Sequence, residues 1–429
     1  MRKGYLQALC ASIASAVFHS QAAASSASQK PMGGGKPPSP FTDEFEALVR
    51  ENLERWHVPG LAVAVVDGDD TWAEVRRPLS FALTRGETAD SSSQGYGIAT
   101  FPAEPVTADT LFYGASTTKA FVAAAVGLAV ESGNYTERAP PPARPLGWRT
   151  PVAAVLRDDF VLQDAWATAH ITLEDALSHR TGLSGHDRAL ARRYGGRPAT
   201  VRDVTRNLRH LPLNQEPRTT WQYNNLMFAV VSHVLETLTG RWLGDVLRDW
   251  IWAPLAMNST YFDLGDALAA PERFASGYFW DNQTEQYVEV PYMPLEEVSG
   301  AGSVISTVSD YAKWLRCLIY QTAPLSPTII EAVKTPKILT SAKAEPYDTP
   351  LAYASGWFTS SYKGHRFWTH SGGMHAYGAE VYFFPDHNYG IAAFGNTAGT
   401  SNAAEQVLAW HLIDEKLGIP KENRFDWVG

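Results

Sequence analysis

One apolar run constrains this chain more than any other feature of its sequence. Residues 120–130 are apolar apart from one glycine, so a helix through them is hydrophobic on every side and must lie inside a large core. Gly133 follows, as expected of a residue that ends a helix in the left-handed conformation. The chain can supply that core, because 45% of its 429 residues are hydrophobic and only 19% are charged. The sequence therefore predicts a large globular body built around this helix.

The charge balance and the cysteine count exclude several classes of protein. Lys and Arg number 36 against 45 Asp and Glu, a net charge of −9. Because no basic run appears, neither nucleic acid nor an anionic membrane surface is an expected partner. Cys10 and Cys317 are the only cysteines, and Cys10 lies in the extreme N-terminal segment, so we expect no intrachain disulfide in the mature protein. The histidines show no helical metal-binding spacing, and we predict neither a metal nor a cofactor.

The N-terminus has the pattern of a secretory signal. Basic residues at positions 2 and 3 precede a mostly apolar stretch at 5–18 and a group of small residues. The stretch is shorter than the roughly twenty residues that span a bilayer. We therefore predict a signal peptide at 1–23, a flexible leader at 24–41 and a secreted protein without stable membrane insertion. Three Asn-x-Ser/Thr sequons would then be glycosylation sites: Asn134, Asn258 and Asn282.

Strand-like segments lie towards both ends of the folded body, and helical patterns lie between them. Short apolar, β-branched or alternating runs predict strands: 60–67, 95–100, 376–385 and 389–396. Residues 111–260 are mainly helical with breaks at proline and glycine, and a last helix is expected at about 401–416. The pattern predicts one sheet built from both ends of the chain, with a helical insertion.

Ser116 and Lys119 stand directly before the apolar run. Three residues apart, they lie on one face of a helix. A serine hydroxyl is a weak nucleophile until a neighbour takes its proton, and a lysine at the head of a buried helix can lose its charge by desolvation and become that neighbour. The free N–H groups of a helix start can also stabilise an oxyanion. The pair predicts a nucleophile with its base, although this spacing alone also fits a chance surface pair.

A second segment, Tyr223 and Asn225, comes just before a predicted helix at 226–238. The phenol could relay a proton, and the amide could hold a substrate carbonyl. Taken alone, Asn225 could equally be a plain helix N-cap. His186 and Asp187, upstream, could line the mouth of a cleft or lie on a surface loop.

A third segment, His370-Ser371 followed by two glycines, comes at the end of a predicted strand. Glycines there let a backbone approach a ligand closely. The N–H groups of Gly373 and Ser116 could together form an oxyanion hole, and His370 could hydrogen-bond within the site. The alternative is a buried strand histidine before a glycine turn.

In this order the three motifs resemble the signature of the serine β-lactamase and penicillin-binding-protein superfamily, with the Tyr-x-Asn motif of class C. Other stretches look like family sequence as well: 95–99, 106–112, 171–183, 252–261 and 300–306. The resemblance implies an α+β fold, an antiparallel β-sheet flanked by helices on both faces with an inserted, mostly helical domain.

The resemblance also implies a division of the chain. A β-lactamase-like domain would occupy 42–415, with its sheet part at 42–110 and 290–415 and its helical part at 111–289. A C-terminal tail at 416–429 would follow.

The roles implied by the resemblance fall on matching positions. Ser116 would be the acylated nucleophile, Lys119 its base or proton shuttle, and Tyr223 the partner that protonates the leaving group. Asn225, His370 and Ser371 would bind substrate. His370 stands where β-lactamases usually carry lysine, and a neutral imidazole recognises a carboxylate less well.

The sequence thus predicts a secreted serine hydrolase that acts through an acyl-enzyme on an ester, amide or lactam of a small molecule or peptide. An acyltransferase of secondary-metabolite biosynthesis shares every one of these residues and stays open. A non-catalytic binding protein on the same fold is the third alternative, and an intact Ser116, Lys119 and Tyr223 argue against it. Neither the substrate nor the oligomeric state follows from the sequence.

Overall fold

The computed structural model describes residues 38–73, 95–135, 145–397 and 399–428. The predicted signal peptide and most of the predicted leader lie outside the described residues, so secretion stays a prediction. Within these ranges, no helix is long and apolar enough to cross a membrane.

Strands and helices are interspersed along the described residues, and each kind is numbered in chain order. The strands are β1 (Gly60–Asp67), β2 (Asp70–Trp72), β3 (Tyr96–Thr100), β4 (Glu104–Pro105), β5 (Phe112–Tyr113), β6 (Arg193–Tyr194), β7 (Arg197–Pro198), β8 (Gly277–Asp281), β9 (Gln286–Val290), β10 (Ile305–Ser306), β11 (Ile338–Ser341), β12 (Leu351–Tyr353), β13 (Phe358–Tyr362), β14 (His365–Met374), β15 (Tyr377–Phe384) and β16 (Tyr389–Gly395). The α-helices are α1 (Asp43–Arg55), α2 (Thr118–Ser132), α3 (Val152–Leu156), α4 (Ala165–His170), α5 (Leu173–Leu177), α6 (Val201–Asn207), α7 (Asn225–Thr239), α8 (Leu243–Leu247), α9 (Leu264–Leu268), α10 (Ser299–Gly302), α11 (Val308–Tyr320), α12 (Pro327–Lys334) and α13 (Thr400–Leu417).

The main sheet joins the two ends of the chain. Its strand order is β11-β12-β13-β14-β15-β16-β1-β3-β4, with β2 also paired to β1, and neighbouring strands run antiparallel. Strand β1 pairs with β16 from Leu61↔Gly395 to Asp67↔Tyr389. The prediction of an antiparallel sheet built from both ends of the chain is confirmed.

Strand β1 shows why helices cover both faces of this sheet. Successive side chains of a strand point to opposite faces. Residues 62, 64 and 66 join the larger core, which holds Phe121 of α2 and Leu315 of α11. Residues 61, 63 and 65 join a second core with Phe45 of α1 and Trp410 of α13. Because both sets are apolar, the strand is a continuous hydrophobic run, as expected of a sheet buried on both sides.

Helix α2 follows the prediction made from its apolar run. Every residue from Thr118 to Gly127 is buried, and Gly133 ends the helix with φ 66°. The ring of Phe121 lies 4.6 Å from that of Trp314. The helix therefore forms the centre of the larger core, and it fixes the position of the turn that precedes it.

The region between β5 and β10 is mainly helical, with two small hairpins, β6–β7 and β8–β9. At the other end, α13 continues to Leu417, and the Trp427 ring stacks on Trp410 at 4.7 Å. The predicted C-terminal tail therefore begins inside α13 and folds back onto it. The other predicted domain boundaries stay predictions.

A pair of buried carboxyl groups lies between α13 and the sheet. Glu405 of α13 is 0% exposed and Glu380 of β15 is 6% exposed. Gly378 and Gly395, which pair across β15 and β16, make room for Glu405, because a Cβ on either would lie 2.9 or 2.8 Å from its Oε1. Burial, and then the charge of Glu380, raise the pKa of Glu405 well above its ordinary value. Burial also raises the pKa of Glu380 to about 7.

We expect Glu405→Gln to stabilise the protein, and to do so more at pH 8 than at pH 5. The folded chain keeps a proton on Glu405 that the unfolded chain releases above about pH 4.5, so its contribution to stability falls as the pH rises. Glutamine has a similar shape but does not ionise, so its advantage over Glu405 should grow by up to about 1.4 kcal/mol for each pH unit above the carboxyl pKa of the unfolded chain. Chemical denaturation at both pH values measures it, with the exposed Glu54→Gln as control. An equal effect at the two pH values would contradict the explanation.

Candidate active site

Ser116 lies on a tight turn between β5 and α2. The turn is a single 3₁₀ turn, Ala115–Thr117, and Ser116 is partly exposed. Ala115 has φ 46°, in the left-handed region that alanine seldom adopts. The hydroxyl of Thr117, the next residue, lies 2.6 Å from that of Tyr311, and this buried hydrogen bond anchors the turn. Strained backbone that its surroundings hold in place is common at functional sites.

Lys119 reaches the nucleophile from inside the core. Its side chain is fully buried, its Nζ lies 3.0 Å from the Oγ of Ser116, and it donates a hydrogen bond to the carbonyl of Ala301 at 2.8 Å. The same Nζ lies 4.8 Å from the centre of the Tyr223 ring and 5.3 Å from that of Phe228. Burial holds the pKa of Lys119 well below its usual range. The amine can therefore be neutral, with a lone pair for the Ser116 proton.

Tyr223 also reaches the nucleophile, from the segment just before α7. Its hydroxyl hydrogen-bonds Ser116, and desolvation raises the pKa of the phenol above its ordinary value. Burial thus moves the pKa values of Lys119 and Tyr223 in opposite directions, and the favoured resting pair is a neutral amine and a neutral phenol. One group can accept a proton and the other can donate one, which are the two transfers that acyl chemistry needs.

The cap of α7 is Asn224. Its Oδ1 accepts the N–H of Met227 at 3.0 Å, and Asn225 is already the first residue of the helix. The alternative that Asn225 is the N-cap is therefore wrong. Asn225 is instead partly exposed, and its Nδ2 donates to Oδ1 of Asp187 at 3.1 Å.

Strand β14 brings the third motif against the nucleophile turn. A Cβ on Gly372 would lie 2.3 Å from the carbonyl of Gly114, so only glycine allows this approach. Ser371 and Gly373 are exposed. The contact sets Gly373 near Ser116, and an oxyanion hole formed by their two N–H groups stays a prediction.

His370, within β14, is 1% exposed. Its Nδ1 donates to the carbonyl of Ser371 at 2.6 Å, and its Nε2 accepts from the hydroxyl of Tyr353 at 2.9 Å. Burial lowers its pKa to about 3, so the imidazole is neutral. The ring lies 6.3 Å from that of Tyr223. His370 is thus a buried neighbour of Tyr223, and its direct contact with substrate stays a prediction.

Sequence reasoning missed His179. It is fully buried, its Nδ1 accepts the backbone N–H of Asn224 at 3.0 Å, and its ring lies 4.3 Å from that of Tyr223. It therefore helps to place Tyr223 against the nucleophile. The sequence offered only an indirect signal for His179, which falls in a stretch that looks like family sequence. The same holds for Ala301, whose carbonyl accepts the Lys119 hydrogen bond.

The predicted glycosylation sites can be located in the structure, but their glycosylation stays a prediction. The three sequon asparagines are exposed: Asn134, Asn258 and Asn282. In the described part of the chain, no group of three or more His, Cys, Asp or Glu side chains is arranged to hold a metal ion.

Comparison with known proteins places this site in a family. The family model described as Beta-lactamase matches residues 45–414. The chain belongs to the β-lactamase family. It is 43% identical over 391 residues to the unguisins hydrolase ungD' of Aspergillus campestris, a match that covers 90% of this chain and 68% of that protein. It is 42% identical over 408 residues to the unguisins hydrolase ungD of Aspergillus violaceofuscus, which covers 91% and 67%.

Solved structures agree on the fold. The octameric penicillin-binding protein homologue of Pyrococcus abyssi superposes with a TM-score of 0.71 at 20% identity, covering 90% of this chain and 79% of that one. Both the resemblance drawn from the three motifs and the predicted fold class are confirmed. Family membership, together with the names of its relatives, identifies this β-lactamase family member as a serine hydrolase.

Proposed function

We propose that this enzyme cleaves an amide or ester bond of a small peptide through an acyl-enzyme on Ser116. The observation that carries the proposal is the fully buried Lys119, whose Nζ lies 3.0 Å from the Ser116 Oγ. A neutral amine at that distance can take the serine proton as the bond to the substrate forms.

In the proposed cycle, Lys119 and Tyr223 together accept one proton and give one back in each half of the reaction. The Ser116 Oγ attacks the scissile carbonyl carbon while its proton passes to Lys119. The bond from carbon to the leaving nitrogen or oxygen breaks as Tyr223 protonates that atom, and the phenol recovers its proton from Lys119. Water then attacks the acyl carbon and gives one proton to the Lys119–Tyr223 pair. The bond from that carbon to the Ser116 Oγ breaks, the pair returns the proton to Oγ, and the acid leaves.

The substrate proposal comes from the relatives. Two unguisins hydrolases match about 90% of this chain, so unguisins are the first compounds to test. Hydrolysis is favoured over acyl transfer because Ser116 and Tyr223 are both partly exposed, which leaves water a path to the acyl carbon.

We expect the purified protein to convert an unguisin into product whose total mass exceeds that of the unguisin by one water, as measured by liquid chromatography and mass spectrometry, and Ser116→Ala to leave the unguisin unchanged. An unchanged unguisin, with Ser116-dependent cleavage of a small nitrophenyl ester, would reject the substrate and keep the mechanism. A product that forms only with an added amine or alcohol, and carries it, would instead assign an acyltransferase.

A further inference from the structure

Asp187 is an exposed acidic residue at the edge of the Ser116 site. It begins a 3₁₀ turn, Asp187–Ala189, and its carboxylate accepts the Asn225 amide at 3.1 Å. Asn225 in turn follows Tyr223 by two residues. The contact links a surface carboxylate to Asn225, two residues along the chain from the tyrosine that hydrogen-bonds Ser116.

The segment that carries Asp187 is held in place from several sides. The Asn224 amide donates to the carbonyls of Ser184 and, at 3.4 Å, Leu183. His186 adopts φ 51° and its Nε2 lies 3.2 Å from the carbonyl of Pro212. A Cβ on Gly185 would lie 3.4 Å from the Tyr223 carbonyl, so the segment passes directly over the backbone of Tyr223. The backbone that leads to Asp187 is therefore anchored beside Tyr223, and the Asn225 amide holds the carboxylate itself.

One negative group, Asp187, acts on the site from its edge. The field of Asp187 acts on both Lys119 and Tyr223. Lys119 itself is desolvated, and the imidazole of His370 is neutral. Arg188 is exposed as well, but the hydrogen bond to the site is made by Asp187. A substrate carboxylate beside the scissile carbonyl would meet this negative group, whereas an ammonium group would pair with it.

We propose that Asp187 sets the charge preference of the cleft, favouring acyl groups that are cationic or neutral near the scissile carbonyl and disfavouring those with a carboxylate there. The inference rests on the proposed function, because it assumes that the acyl group binds at Ser116. It defines the substrate class as internal amides or esters, and amine-bearing acyl groups, in preference to compounds with a free acid next to the reacting bond.

Three phenylboronic acids that bond reversibly to a nucleophilic serine test the charge preference without turnover. They carry a meta-methyl, meta-aminomethyl or meta-carboxy group. We expect the wild-type enzyme to bind the aminomethyl compound more tightly than the carboxy compound. In Asp187→Asn, which keeps a partner for Asn225, the ratio of the dissociation constant of the carboxy compound to that of the aminomethyl compound should fall by about 2- to 5-fold, the effect of one exposed charge pair. Asp187→Lys should invert the preference. Added salt should weaken the preference in the wild type.

The matched control is the substitution Asp69→Asn. Asp69 is also an exposed aspartate, and it lies on the turn that follows the C-terminal end of β1. The substitution should leave the ratio at the wild-type value. If Asp187→Asn weakens all three boronic acids equally, Asp187 only supports Asn225 and the inference is overturned while the proposed function stands. Binding of none of the three, with no adduct on Ser116, would overturn both.

Discussion

Replacing Ser116 by alanine should abolish turnover and covalent labelling together. The hydroxyl is the group that Lys119 and Tyr223 both approach, so its removal closes the covalent route and leaves only the surrounding dipoles. For serine nucleophiles this costs roughly 10⁴- to 10⁶-fold in kcat. Intact mass spectrometry after treatment with a fluorophosphonate should show one adduct on the wild-type protein and none on Ser116→Ala.

Ser371→Ala provides the matched control for this experiment. Ser371 is an exposed serine on β14 beside the same site, and its loss should leave the fluorophosphonate adduct intact, whatever it does to substrate binding. Peptide mapping then locates the label. An adduct on any residue other than Ser116, or an unchanged rate in Ser116→Ala, would reject the assignment of the nucleophile.

The parts of the structure that the sequence predicts well are those that a local pattern determines. The run at 120–130 can only be a buried helix, because no face of it is polar, and Gly133 marks its end. The sheet that joins the two ends of the chain follows from apolar strands with no polar face, as in β1. The contact between Ser116 and Lys119 follows from their spacing at the start of that helix, although Ser116 itself lies in the 3₁₀ turn just before α2.

The parts that it does not predict depend on which residues meet across the fold. Asn224 and Asn225 are the same residue type, and one position along a helix turns a side chain by about 100°. Only the structure shows that Asn224 caps α7 and leaves Asn225 facing Asp187. His179 lies 44 residues before Tyr223, and its contact with that ring follows from packing, which no spacing along the chain encodes.

The second large loss of activity is expected when either member of the proton-transfer pair, Lys119 or Tyr223, is replaced. Tyr223→Phe removes one hydroxyl and keeps the ring packed on His179, so acyl transfer should fall by about 10²- to 10⁴-fold, the usual contribution of a positioned proton-transfer group, with little change in stability. Lys119→Met should cost at least as much activity. It should not destabilise the fold, because an apolar side chain of similar length replaces a desolvated amine.

The pH dependence of kcat/KM shows whether Lys119 acts as a base or through a positive charge. Burial lowers the pKa of Lys119 and raises the pKa of Tyr223, so the wild-type kcat/KM should rise with pH as Lys119 loses its proton and level off above that point. Since the two groups are coupled through Ser116, the apparent pKa belongs to the pair. In Tyr223→Phe the rise should persist at a lower plateau, and in Lys119→Met it should vanish. A Lys119→Arg variant retains a cation that cannot give up its proton. If it remained folded and active, Lys119 would act through its charge, and the proposed proton transfer from Ser116 would be wrong.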